Sequence, residues 1–107
     1  MRQFEDRLVS HLAQHFPDRF LELKEDGTRD AVRFGVEKAG SYGIESERDV
    51  SVYIDIMFEF GKYFDDDFAW AGNILRDPEY DGQPSARMDA LYDEALKNLD
   101  GAGGIKL

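Results

Sequence analysis

The 107-residue chain contains no cysteine. Disulfides, thiolate zinc sites and cysteine nucleophiles are thereby excluded, and a reducing compartment suits the composition. Long apolar runs are also missing. No stretch approaches the roughly 20 residues of a membrane-spanning helix, and residues 1–6 lack the apolar run of a signal peptide. The expectation is a soluble cytoplasmic protein with no membrane partner. Positive charge is scarce as well: 13 Lys and Arg stand against 23 Asp and Glu, a formal net charge of −10. Such a balance disfavours binding to nucleic-acid phosphates and to anionic lipid.

What is present points to one folded domain. Hydrophobic residues make up 42% and aromatic residues 13% of the chain, enough for a core rather than a disordered segment, and the length leaves no room for a second core. Residues 1–100 read as a single helical domain. Residues 101–107 hold three glycines and read as a flexible tail. The negative charge is uneven: residues 1–43 carry 7 basic and 8 acidic side chains, residues 44–107 carry 6 and 15. The C-terminal part would therefore steer toward a basic partner, although acidity also serves simply to keep a small domain soluble.

Apolar spacing predicts five or six helices in an all-α bundle around one core. Phe4, Leu8, Leu12 and Phe16 form one helical line that stops at Pro17, a residue suited to open the next helix. A short helix with Phe20, Leu21 and Leu23 is expected to end near Gly27. Thr28 would then cap a third helix whose face is Ala31, Val32, Gly35, Val36 and Ala39. Residues 50–60 alternate as a strand would, yet Tyr53 and Met57 fall on the polar side of that alternation. Read as a helix, Ser51, Asp55 and Glu59 make one polar line, with Ser46 and Asp49 as a capping pair. The helical reading is preferred, and it places this segment at the centre of the domain. Beyond Gly61, Phe64, Phe68, Ala71 and Leu75 repeat at helical spacing. From Pro84, Met88, Leu91, Tyr92, Ala95, Leu96 and Leu99 form the last apolar stripe.

Candidate chemistry is sparse. Asp77, Glu79, Asp81 and Gly82 match the opening of a calcium loop, but Pro84 and Met88 occupy its eighth and twelfth positions, where the closing Glu is missing. An acidic turn is the preferred reading. Asp65, Asp66 and Asp67 are consecutive on a helix and do not converge on one ion. His11 and His15 share a helical face without the intervening Glu of a metalloprotease helix, and read as surface histidines. No serine sits in a nucleophile elbow and no glycine-rich phosphate loop is present. Neither catalysis, a metal nor a cofactor is expected.

The densest feature is the aromatic cluster of Phe58, Phe60, Tyr63, Phe64, Phe68 and Trp70. Two readings stand: a well-filled core around the Gly61 bend, or a partly exposed patch. In the second, Tyr63, Phe64, Asp65, Asp66, Asp67, Phe68 and Trp70 form a protein-binding site of aromatic anchors in an acidic rim.

Across residues 42–92, Tyr42, Gly43, Ile44, Ser46, Asp49 and Val50 are followed by Met57, Phe58, Phe60, Gly61, Phe64 and Asp65. Trp70, Ala71, Ile74, Leu75, Arg87, Met88, Leu91 and Tyr92 complete the pattern. It resembles that of small helical proteins encoded beside bacterial type VI secretion effectors and their spike-tip proteins. The resemblance covers about half the chain and rests mainly on core-type residues. It implies a non-catalytic adaptor or co-chaperone whose partner is an effector, or its chaperone, with a basic or apolar surface. The alternative is an acidic immunity protein that blocks the basic active site of a toxin such as a nuclease.

Overall fold

Ser46 settles the most ambiguous segment. In the computed structural model its hydroxyl accepts the Asp49 N–H at 3.2 Å and so caps a helix, α3, over Glu47–Phe60. The structure describes the backbone of residues 2–106 and the side chains of residues 3–99. Among them are six α-helices and one 3-10 turn: α1 (Arg2–His15), α2 (Pro17–Ser41), α3, α4 (Phe64–Asp67), α5 (Ala69–Leu75), the turn at Pro78–Tyr80, and α6 (Pro84–Lys106). The all-α bundle expected from the sequence is what forms. No helix among the described residues is long and apolar enough to cross a membrane.

α3 is the hub and packs against α1, α2, α4 and α6. Val50, Tyr53, Ile54, Ile56, Met57 and Phe58 are all buried, because a helix surrounded by others buries almost its whole circumference. That is why its pattern imitated a strand. On α1, Phe4, Leu8, Val9 and Leu12 point inward as their spacing predicts. α1 is also tied to α2 by Glu5, which accepts from Arg33 at 2.9 Å and from Arg29 at 2.8 Å. Those hydrogen bonds, Arg33's first, hold the Glu5 carboxyl below the usual carboxylate range.

α2 departs from expectation. The break lies at Lys24, whose φ of 63° and ψ of −179° belong to a region favoured by glycine and cost about 1–3 kcal/mol. Residues 25–28 therefore wind as helix, and Thr28 does not cap. It is fully buried on the same face as Val32, Gly35 and Ala39, at helical spacings of 4, 7 and 11. Gly35 lets α3 approach closely, since a Cβ there would stand 2.6 Å from Ile54 Cγ1.

The expected helix beyond Gly61 is two pieces, divided where Phe68 is extended (φ −117°, ψ 119°). On α6, Met88, Leu91 and Ala95 are buried, but Tyr92 and Leu96 are not. The helix continues past residue 100, where glycine was expected to end it; glycine costs only about 1 kcal/mol per residue inside a helix. The side chains of residues 100–107 lie outside the described residues.

Candidate protein-binding face

Gly61 shapes this part of the molecule. It ends α3 with φ 122° and ψ 157°, a conformation open to glycine and strained for other residues, and its N–H bonds the Met57 carbonyl. The chain then makes the single turn of α4. Successive residues of a helix project about 100° apart, so the run 63–67 is divided between the interior and the surface.

Phe64 and Asp65 go inward, and the expectation that they belong to an exposed patch is corrected. Phe64 is fully buried, its ring 5.0 Å from that of Tyr53. Asp65, 1% exposed, accepts on Oδ2 from the Tyr42 hydroxyl at 2.6 Å and pairs with Lys38 Nζ at 3.0 Å. Arg76 donates to the Asp65 backbone carbonyl at 3.3 Å. Burial pushes the Asp65 carboxyl up, but the bonds from Tyr42 and Lys38 outweigh it and hold the group below its ordinary value. Burial, followed by the bond to Asp65, pushes the Tyr42 phenol up to about 12.

Tyr63, Asp66 and Asp67 go outward. Tyr63 is 53% exposed and stands edge-on to Phe34, with ring centroids 5.6 Å apart. Lys62 Nζ lies 4.4 Å from the Phe34 centroid, within cation–π range. Asp66 takes a 2.6 Å bond from Arg76, and Asp67 is exposed. Phe60, Phe68 and Trp70 form a half-buried trio beside the bend, with centroids 5.2–5.8 Å apart. The Trp70 indole N–H is buried without a hydrogen-bond partner in the structure. In burial the aromatic cluster is mixed: Phe58 and Phe64 are core, Tyr63 is surface, and the trio lies between. Lys62 also lines a groove of about 200 Å³ with Leu23, Gly27, Ala31, Met57 and Phe58.

Several contributors were given no role in the sequence reading. Phe34 sits three residues after Ala31, one step along the same helical surface, and that spacing was the available signal. Lys38 and Tyr42 are four apart and face each other, with Nζ 5.9 Å from the ring. Arg87 is 6% exposed and ties α6 to the end of α2 and to its own preceding loop by donating to the Tyr42 and Asp77 carbonyls at 2.9 and 2.8 Å. No periodicity announces such a residue.

The acidic segment 77–82 is a turn. Asp77 accepts the Glu79 N–H at 2.9 Å, and Asp81 accepts from Arg87 at 3.1 Å. His11 is not merely a surface histidine, because its Nε2 lies 2.8 Å from Asp55 Oδ1 and joins α1 to α3. Burial raises the Asp55 carboxyl above its ordinary value, against the opposing pull of His11. Among the described residues no group of three or more His, Asp and Glu side chains is placed to hold a metal ion. In comparisons with known proteins, no family model, no curated protein and no solved structure matches the chain.

Proposed function

We propose that the protein is a non-catalytic adaptor or co-chaperone that binds another protein through the outward side of the Gly61 bend. The observation that carries this reading is Tyr63. It is a large aromatic residue, more than half exposed, steadied on Phe34 beside Lys62, and the half-buried Phe60, Phe68 and Trp70 lie within seven residues of it along the chain. A rigid aromatic anchor with a charged edge of Asp66 and Asp67 has the composition of a binding hot spot. The resemblance of residues 42–92 to proteins encoded beside type VI secretion effectors supports the finer reading, in which the partner is an effector awaiting loading. The lack of cysteine suits a cytoplasmic place of action.

The uneven charge favours a second reading, an acidic inhibitor of a basic toxin site. The two differ in salt dependence. An apolar dock holds its affinity as salt rises, whereas an inhibitor held by charge weakens steeply. The test is affinity capture from the source organism with the wild-type protein and Tyr63→Ser in parallel, at low and high salt. Specific partners retained by the wild type at high salt and lost by Tyr63→Ser are the expected result. Identical capture by both proteins would remove the bend from consideration.

A further inference from the structure

We infer that the outer face of α6 is a second docking strip, and that its occupant is a basic amphipathic helix of a partner protein. It goes beyond the bend face and does not depend on it. α6 carries more apolar surface than its neighbours cover. Met88, Leu91 and Ala95 face α3 and α5, while Tyr92 and Leu96 are left 48% and 43% exposed, and Leu99 is half-buried. Tyr92, Leu96 and Leu99 stand at i, i+4 and i+7, the spacing with which one helix engages the apolar face of another.

Charge selects the occupant. Asp89 and Asp93, four residues apart and both exposed, border the strip on its outward side. Asp89 reaches only a 3.5 Å exposed contact with Arg48. Among the described residues the cations near the strip already have partners: Lys97 is engaged by Glu94 at 3.2 Å, and Arg48 also lies 3.1 Å from Asp49. Carboxylates flanking an apolar stripe are the complement of Lys and Arg flanking the apolar stripe of a partner helix, as in charge-paired coiled coils. A second copy of this chain would bring the same aspartates and another net charge of −10 to the contact, which disfavours self-pairing.

The probe is a synthetic helical peptide of about 20 residues, some 30 Å long, with leucine at i, i+4 and i+7 and lysine on both flanks. Controls are a shuffled peptide of the same composition and one with glutamate in place of lysine. Amide shift mapping should give saturable changes confined to residues 85–99. Tyr92→Ala/Leu96→Asp should lower affinity at least ~10-fold while circular dichroism stays unchanged, since both side chains lie outside the core. Raising salt from ~50 to ~500 mM should weaken binding several-fold. Absence of shifts at ~1 mM peptide overturns the inference, as does equal binding of the shuffled or glutamate peptide. Shifts centred on residues 62–70 overturn it too, and leave the bend reading standing. Dimerisation in sedimentation that Leu96→Asp abolishes would identify a second copy as the occupant and likewise overturn it.

Discussion

The inner and outer sides of the Gly61 bend are built from neighbouring residues and do opposite work. Inside, Phe64 and Asp65 are sealed off, and the carboxylate is held by Tyr42 and Lys38. Outside, Tyr63 meets solvent, and Asp66 meets Arg76 in an ion pair that is geometrically as short but half exposed. An exposed pair of that kind contributes about 0–1 kcal/mol, whereas removing one partner of a buried pair costs about 3–5 kcal/mol. Location rather than residue type sets the worth of each aspartate. The difference also says where function can be probed without unfolding the domain, namely at Tyr63, Asp66 and Asp67.

Phe64→Ala should break the inner side most severely. A fully buried phenylalanine against Tyr53 is expected to cost about 3–5 kcal/mol on truncation, read from urea denaturation. A loss below ~1 kcal/mol would mean that the bend is not anchored there. Asp65→Asn comes next. It should cost at most the ~3–5 kcal/mol of a broken buried pair, because Lys38 and Arg76 keep some access to water. It should also change the acid limb of stability. The folded Asp65 carboxyl is depressed, so its stabilisation is present above the unfolded value of about 3.9 and is lost as pH falls toward the folded value. The variant should lack that loss. Asp55→Asn should act in the opposite sense, because the Asp55 carboxyl is raised on folding. Its ionisation weakens the fold as pH climbs from the unfolded to the folded value, and the amide should remove that decline. Parallel pH–stability profiles for the two variants would contradict the assigned environments.

Gly61→Ala probes both sides together. Its φ of 122° should make any side chain there cost about 1–3 kcal/mol, with amide shifts spreading to the Phe64 and Tyr63 sides alike. Tyr63→Ser sits at the small end, within about 0.5 kcal/mol of wild type in stability and yet deficient in partner capture. A destabilisation like that of Phe64→Ala would erase the distinction between the sides.

Much of the fold was legible in the sequence because burial and helix geometry share one period. Phe4, Leu8 and Leu12 on α1, and Met88, Leu91 and Ala95 on α6, face the core at the spacing that predicts it. Ser46 was legible as a cap because its hydroxyl acts on an N–H three residues away. The break in α2 was misplaced because Gly27 is the stronger local signal, while packing of Thr28 against the core moved the turn to Lys24. The candidate face was half legible. Aromatic density marked the region, but a one-turn helix has no second turn to show which residues point inward, so Phe64 and Tyr63 read alike.

By itself the sequence determined the helical class, the absence of cysteine chemistry, the excess of acidic residues after residue 43 and most helix boundaries. These follow from composition, charge and the contacts of residues within a turn or two of each other. Only the tertiary structure decided that Asp65 is buried and Asp66 exposed, that Arg87 and His11 join distant helices, and that Tyr92 and Leu96 lie outside the core. Each of those depends on which helix packs across from the residue, a relation between parts of the chain far apart in sequence that no local period encodes.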